Sequence, residues 1–190
     1  MLESYRVILA SNSPRRKELL TGVGVSFEVM TIPGIDESFP DTLKGGDIPL
    51  FLARKKCDAY QDILRDNVLV ITADTIVWQD GKVLGKPKDR REAVEMITAL
   101  SGRSHTVYTG VCVRSTTKEE AFYTESKVFF DELSVDEIEY YVDNFKPYDK
   151  AGAYGIQEWI GYIAVRKIEG SYFNIMGLPI QRLYQVLKQF

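Results

Sequence analysis

The sequence predicts an α/β fold built on a mixed sheet, and three observations support this prediction. Apolar, strand-like runs alternate with helical patterns, the alternation is irregular, and several pairs of runs are joined by short turns. Hairpins place antiparallel neighbours in a sheet, so a strictly parallel, doubly wound sheet is disfavoured. The 190 residues suit one domain or two small lobes that share a core. We predict a single domain over residues 1–190.

Hydrophobic periodicity and turn residues place the elements along the chain. Residues 33–47 are rich in Pro, Gly and Asp and are predicted to be a loop. In chain order, the predicted elements are a strand at 5–10, a helix at 14–24, a strand at 26–32, a helix at 48–61, a hairpin at 67–85, a helix at 89–102, strands at 104–115 and 120–133, a helix at 134–145, strand-like segments at 160–170 and 171–177, and a final helix at 178–190.

Local signals justify several of these boundaries. Ser13 is a suitable N-cap, and Pro14 suits the first position of the helix that follows. The dipeptide Asp80-Gly81 predicts the turn of the hairpin.

The later helices carry signals of the same kind. Gly102 marks a helix end, and Ser134 with Glu137 forms a capping box. Pro179 lies in the first turn of the last helix.

Charge and composition exclude several classes of protein. The net charge is −3 and no block of five basic residues occurs, so the footprint of a nucleic-acid-binding module is absent from the sequence. Positive charge must therefore act locally, which suits a small anionic ligand. With His105 as the single histidine, neither a Ser-His-Asp triad nor a multi-histidine metal site is expected.

Neither a membrane span nor a secretory leader is predicted. No apolar stretch approaches the roughly 20 residues of a membrane helix, and the N-terminus lacks the basic start and apolar core of a signal peptide. A cytoplasmic protein is expected. Cys57 and Cys112 lack metal-ligand spacing and are expected to be buried, reduced thiols.

Asp74 is the residue that points most clearly to chemistry. It interrupts the strand-like run VLVITADTIV, whose other residues from Val68 to Val77 are apolar or threonine. A carboxylate withdrawn from water needs partners. Asp74 therefore either hydrogen-bonds backbone groups at the strand end, or serves as a metal ligand or general base at the edge of a sheet.

Other charged residues are weaker candidates individually. Lys86 lies in the Gly- and Pro-stiffened segment GKPKD, and Lys56 lies at the border of the apolar face of its helix; each is either solvent-facing or part of a site with Asp74. Asp36 and Glu37 lie in the predicted loop, where they either have no ligand or join Asp74 in holding Mg²⁺. Magnesium needs only one or two carboxylates when phosphate oxygens and water complete its shell.

Two segments suggest contact with a phosphorylated ligand. Arg15 and Arg16 occupy the first turn of a helix, where the dipole disfavours cations, and a bound phosphate would offset that cost. The segment YDKAGAYGIQ, at 148–157, combines close-approach glycines with Gln157, whose amide can read the edge of a nucleobase. The alternatives are a simple helix cap and a tight loop.

Taken together, these residues resemble the Maf family of nucleotide pyrophosphatases, once described as septum-formation inhibitors. The resemblance covers residues 9–179 and rests on ordered segments: LASNSPRRKELL, DES, LARKK, ADTIV, GKPKD, LSGRSHTVYTGV, KAGAYGIQ and GSYFNIMGLP. It implies an elongated mixed sheet flanked by helices, similar to inosine-triphosphate pyrophosphatases (a Maf/Ham1-like fold), with two lobes around a central cleft. It also implies a homodimer. Glu158 and Cys57 depart from the usual glycine and alanine of the family.

The resemblance also implies an activity and a set of residues. Family members hydrolyse nucleoside triphosphates to the monophosphate and pyrophosphate with a divalent metal, Mg²⁺ or Mn²⁺. Asp74 matches the catalytic acidic residue, and Glu37 matches an acidic position associated with the metal. Substrate-binding and specificity positions, including those typical of members acting on dTTP and UTP, match Ser13, Arg15, Arg16, Lys56, Thr75, Lys86 and Gln157.

Two other functions are kept as alternatives. One is a pyrophosphatase for 7-methyl-GTP or other modified nucleotides. The other is a non-enzymatic regulator of cell division that binds nucleotides without hydrolysing them.

Overall fold

A computed structural model describes residues 2 and 4–190 of the chain. Met1 and Glu3 lie outside the described residues. Both belong to the N-terminal segment for which no secretory leader is predicted. The strands are β1 (Arg6–Leu9), β2 (Glu28–Val29), β3 (Val68–Gln79), β4 (Lys82–Leu84), β5 (Ser104–Arg114), β6 (Glu119–Phe130) and β7 (Val165–Gly170). The helices are α1 (Pro14–Gly22), α2 (Asp47–Asp58), α3 (Arg90–Leu100), α4 (Val135–Phe145), α5 (Trp159–Ala164), α6 (Tyr172–Met176) and α7 (Ile180–Leu187).

The strands form one mixed sheet in the order β2-β1-β3-β5-β6-β7, with β4 paired to β3. β1 is parallel to both β2 and β3, whereas β3–β4 and β6–β7 are antiparallel. The predicted mixed α/β sheet is therefore confirmed. By its contacts the chain forms two compact units, and the long strands β3, β5 and β6 each contribute residues to both. The predictions of a single domain and of a central cleft stay predictions.

The first unit consists of residues up to Thr75, Thr109–Thr124 and Gly177–Phe190. Its parallel pair is in register from Arg6 opposite Val68 to Leu9 opposite Ile71. Buried residues of β1, α2, β3 and β5, and of the segment between α2 and β3, form its core: Ile8, Ala53, Cys57, Tyr60, Leu64, Val68, Val70 and Cys112. Both cysteines are buried and free, as predicted.

Helix α2 lies very close to β5 in this unit. A Cβ atom at Gly110 would lie 2.3 Å from the backbone carbonyl carbon and oxygen of Pro49. Such an approach is possible only without a side chain. Gly110 therefore sets the position of α2, the helix that carries Lys56.

The second unit consists of Ile76–Tyr108 and Glu125–Met176. Its first hairpin, β3–β4, turns at Asp80 and Gly81, both of which have positive φ (51° and 76°). Two successive positive φ values are typical of the type I′ turn predicted by an Asp-Gly pair. The capping box of α4 is also present, since Ser134 and Glu137 bond reciprocally.

Three predicted elements differ from the structure. The strand predicted at 26–32 is reduced to β2. The segment predicted as a strand at 160–170 is helical in α5 up to Ala164 and a strand only in β7, and the segment at 171–177 contains α6. In the last segment, Asn174 N–H donates to Ser171 Oγ, which caps α6. The Asn174 side chain donates to Val107 O (3.1 Å) and Ser126 Oγ (3.0 Å). These contacts outweigh the aromatic composition that favours a strand.

Within residues 2 and 4–190, no helix is both long and apolar enough to cross a membrane.

Candidate active site

Asp74 and Lys56 form the centre of the predicted site. Asp74 lies on β3, and its side chain is 13% exposed; Lys56 lies on α2 and is 17% exposed. The lysine Nζ donates to Asp74 Oδ1 at 2.6 Å. The same Nζ lies 2.9 Å from Glu37 Oε1, whose side chain is 59% exposed. The half-buried carboxylate of Asp74 is therefore paired with the Lys56 ammonium group rather than with backbone N–H groups.

Arg16 holds the strand on both sides of Asp74. Its Nη1 donates to Ala73 O (2.9 Å) and Ser11 Oγ (3.3 Å), its Nη2 to Thr75 Oγ1 (3.1 Å) and its Nε to Gly177 O (2.8 Å). These bonds engage all three nitrogens of the guanidinium.

The charge of Arg16 is affected by the same surroundings. Burial lowers the pKa of Arg16 from its ordinary value, while the Asp74 carboxylate nearby opposes that shift. The structure thus supplies a reason for an arginine in the first turn that the sequence did not reveal. Its role in binding phosphate stays a prediction.

The start of α1 is organised as the sequence predicts. Ser13 is the N-cap, its Oγ accepts the N–H of Arg16 at 3.5 Å, and Pro14 is the first helical residue. Arg15 follows in the first turn, half-buried. Backbone N–H groups and the positive end of the dipole make such a start suitable for an anion. Ser13 and Arg15 therefore lie on the same helix start as Arg16.

Thr75 belongs to the Arg16 network. Its hydroxyl accepts from Arg16 and shares a hydrogen bond of 2.9 Å with Thr109 Oγ1. Thr109 is buried on β5. Thr75 and Thr109 thereby connect β3 and β5 to the start of α1 within the first unit.

Lys86 and Gln157 lie in the second unit, where their segments meet. Gly152 N–H donates to Gly85 O at 3.0 Å, and this bond joins the residue before Lys86 to the predicted glycine-rich segment. Lys86 is exposed and Pro87 after it is buried, which fixes the lysine at the surface. A Cβ at Gly152, which has φ of 68°, would lie 2.8 Å from the Val77 side chain.

Gln157 carries an unsatisfied acceptor. Its Oε1 is buried, and within the described part of the chain it has no hydrogen-bond partner. An unpaired buried carbonyl oxygen costs about 1–3 kcal/mol. A ligand with an N–H donor would satisfy it.

The acidic residues fit a sparsely held divalent metal. Among the described residues, no group of three or more His, Cys, Asp or Glu side chains could hold a metal ion. Asp74 and Glu37 offer two carboxylates close to one nitrogen, which is the number that Mg²⁺ uses when substrate phosphates and water supply the other oxygens. Asp36 is engaged elsewhere, because Lys55 Nζ and Ser38 both donate to its carboxylate.

Sequence reasoning missed several residues of these networks. Thr109 and Gly177 carry no local signal, since one is a strand threonine and the other contributes only a carbonyl. Lys150, Glu158 and Tyr141 form an ion pair and hydrogen bonds inside the second unit. The departure of Glu158 from the family pattern is the signal that could have found them.

Comparison with known proteins places this site in a family. The family model described as Maf-like protein matches residues 6–190, and the chain belongs to the Maf family. A protein of Bacteroides thetaiotaomicron named dTTP/UTP pyrophosphatase is 59% identical over 188 residues, covering 99% of this chain and 97% of that protein. One of Parabacteroides distasonis with the same name is 54% identical over 189 residues, covering 100% and 98%. The family prediction is confirmed.

A solved structure shows the same fold. The HAM1 protein from Coxiella burnetii matches with a TM-score of 0.53 and 15% identity, covering 98% of this chain and 100% of that one. The predicted similarity to the Ham1-type fold is therefore confirmed.

Proposed function

We propose that this chain hydrolyses nucleoside triphosphates to the monophosphate and pyrophosphate, with dTTP and UTP as preferred substrates. The observation that carries the proposal is the half-buried carboxylate of Asp74, held by Lys56 beside Glu37. The names of the full-length relatives from Bacteroides and Parabacteroides support the same activity.

Residues of the first unit have proposed roles toward the triphosphate. Ser13 and Arg15 bind phosphate oxygens at the start of α1, and Lys56 neutralises charge that develops as pyrophosphate leaves. Asp74 either accepts a proton from the attacking water or holds the metal with Glu37. A divalent cation, Mg²⁺ or Mn²⁺, would neutralise phosphate charge and favour attack at the α-phosphorus. Positioning and electrostatics then supply most of the catalysis.

Arg16 and Thr75 are proposed to act on the same substrate through the strand. Arg16 fixes the backbone around Asp74, and its positive charge attracts the phosphate groups. Thr75 sets the position of that guanidinium.

In the second unit, Lys86 and Gln157 are the proposed substrate contacts. Lys86 provides an exposed cation for phosphate. Gln157 Oε1 lacks a donor, and the imide N3–H of thymine or uracil is such a donor, while the side-chain NH₂ can donate to an adjacent base carbonyl. Cytosine presents an acceptor at N3, so the same oxygen disfavours CTP.

The central test measures pyrophosphate release from dTTP, UTP, CTP and 7-methyl-GTP with Mg²⁺ or Mn²⁺. We expect dTTP and UTP to be hydrolysed fastest, and Asp74→Asn to lower their kcat by at least about 100-fold. Asp41→Asn, which changes an exposed loop carboxylate, is the matched control and should keep the wild-type rate. Thermal unfolding checks that both variants are folded.

Three outcomes contradict the proposal. A near-wild-type rate in Asp74→Asn removes the role of this carboxylate. Faster hydrolysis of 7-methyl-GTP favours the modified-nucleotide enzyme. No pyrophosphate from any triphosphate favours a regulator that binds without turnover.

Assembly and location extend the proposal. We expect a homodimer, which sedimentation equilibrium of the full chain tests, with a monomer at micromolar concentration contradicting it. A cytoplasmic location and the absence of nucleic-acid partners stay predictions.

A further inference from the structure

Glu158 is the centre of a connected network in the second unit. Its Oε1 lies 3.1 Å from Lys150 Nζ, and its Oε2 accepts a hydrogen bond from the Tyr141 hydroxyl. The Tyr141 oxygen also accepts the backbone N–H of Gly155 at 3.0 Å. One carboxylate thus links a lysine, a tyrosine and, through the tyrosine, the backbone of the glycine-rich segment.

Burial makes this carboxylate the effective partner of Lys150. The Lys150 side chain is only 9% exposed, so its charge requires a counter-ion. Asp149 also lies near its Nζ, at 2.8 Å, but that carboxylate is 59% exposed and screened by water. Glu158 is 21% exposed and provides the better shielded pair.

The ion pair lies directly against the backbone of the segment. A Cβ at Gly155 would lie 2.9 Å from Glu158 Cδ and 2.9 Å from Lys150 Cε. Two residues earlier, Ala153 has φ of 60°, which is unfavourable for a residue with a side chain. The segment therefore has a backbone conformation that needs contacts from outside to hold it.

Gln157 lies inside the turn that this network closes. Glu158 N–H donates to Gly155 O at 3.0 Å, and Tyr141 bridges Gly155 N–H to the Glu158 carboxylate. Ile156 and Gln157 lie between these two anchors, and Gln157 carries the buried, unpaired Oε1. Its direction therefore depends on where Glu158 is held.

We propose that Glu158 is a positioning residue for base selectivity: anchored by Lys150 and Tyr141, it fixes the turn from which Gln157 meets the substrate base. The inference rests on the proposed function, because it assumes that Gln157 reads the base of a pyrimidine nucleotide. Glu158 itself needs no contact with the substrate. Its effect is expected on the discrimination between bases and not on the chemical step.

Three variants separate the parts of the network. Glu158→Ala removes both anchors, Tyr141→Phe removes the bridge to Gly155 and keeps the ion pair, and Glu158→Gln keeps the shape while removing the charge. Glu169→Gln is the matched control, since it breaks the exposed Lys167–Glu169 pair of the same unit. Kinetic constants for dTTP, UTP and CTP, and the affinities of non-hydrolysable dTTP and CTP analogues, are measured for each.

For Glu158→Ala and Tyr141→Phe we expect KM for dTTP to rise about tenfold, because one well-oriented hydrogen bond from Gln157 to the base is lost. The kcat should stay within about twofold of wild type. The preference for dTTP over CTP should fall by the same factor. Glu158→Gln should fall between wild type and Glu158→Ala, and Glu169→Gln should match wild type. A purely structural role predicts instead a lower thermal midpoint with unchanged base preference.

The outcomes distinguish the two proposals. Wild-type base preference in folded Glu158→Ala and Tyr141→Phe overturns the positioning role while the pyrophosphatase activity stands. If the wild-type chain hydrolyses none of the nucleotides, the proposed function fails, and the analogues decide the positioning role. The positioning role is supported if the wild type binds the dTTP analogue more tightly than the CTP analogue and Glu158→Ala loses this difference. It is overturned if the wild type binds both analogues equally. If Glu158→Ala does not fold, Glu158→Gln decides: the positioning role is overturned if this variant keeps the full wild-type preference for dTTP over CTP.

Discussion

Acidification should destabilise this protein through one buried histidine. His105 lies on β5 among the rings of Phe130 (5.0 Å between centroids) and Tyr154 (5.3 Å). Its Nε2 shares a hydrogen bond of 2.7 Å with the Tyr154 hydroxyl, while Nδ1 is buried and has no partner in the described chain. Burial lowers the pKa of His105 to about 4. The folded protein therefore resists protonation of this ring.

The sign and the size of the effect follow from this pKa. In the unfolded chain the ring binds a proton below its ordinary pKa near 6.5, whereas the folded protein does so only below about 4. The unfolded state thus binds more protons between these values, and the free energy of unfolding falls as the pH falls. The loss reaches about 2 kcal/mol at about pH 5 and about 3 kcal/mol below about pH 4.

Urea unfolding monitored by tryptophan fluorescence between about pH 7.5 and about pH 5 measures this dependence. Because the sequence has a single histidine, no other side chain with an ordinary pKa titrates between roughly pH 5 and pH 6.5. Carboxylates whose pKa is lowered by ion pairs keep their contribution above their ordinary pKa, 4.5 for Glu and 3.8 for Asp, and lose it as the pH falls below that value: Glu28, Asp36, Asp143 and Glu169.

His105→Phe is the matched variant for this measurement. It removes the titrating group and keeps an aromatic ring, so its free energy of unfolding should stay nearly flat across the same range. A wild-type protein equally stable at about pH 7 and about pH 5, or a variant with the same slope as the wild type, would refute the reasoning.

Three further substitutions test the packing around the site. Gly110→Ala should lower the free energy of unfolding by about 1–3 kcal/mol and reduce nucleotide hydrolysis, because its Cβ would displace Pro49 at the start of α2; urea unfolding without a change in midpoint would contradict this. Arg16→Met should lower the free energy of unfolding by about 2–4 kcal/mol, because it leaves the carbonyl groups of Ala73 and Gly177 unpaired. Arg91→Met should lower it by less than about 0.5 kcal/mol, because the Arg91 side chain is 85% exposed. Ser134→Ala should cost about 1 kcal/mol through loss of a helix cap, measured as a lower thermal midpoint.

Elements with local chemical signals were predictable from the sequence. The hairpin at Asp80-Gly81, the N-cap at Ser13 and the capping box at Ser134 each depend on residues within a few positions, so their structure follows from the local sequence. Helix α6 was missed because its stability comes from Asn174, whose partners lie on β5 and β6. A contact across so many residues leaves no periodic pattern.

The same distinction applies to the candidate site. Asp74 was identifiable because a carboxylate in an apolar strand is an anomaly that the composition itself reveals. Its partner Lys56 was identifiable as the lysine at the border of an apolar helix face. Two of the partners of Arg16 were not, because Ala73 and Gly177 offer only backbone carbonyls, which every residue has.

The hydrogen bond from Arg16 to Gly177 has a consequence for synthesis in the cell. Its two ends are 161 residues apart, and its acceptor is synthesised after every acidic and basic residue of the Asp74–Lys56–Glu37 cluster. A nascent chain that already contains Asp74, Lys56 and Glu37 still lacks the carbonyl that receives the Arg16 Nε–H. The strand around Asp74 therefore acquires its full set of contacts only after Gly177 has been synthesised and has reached Arg16.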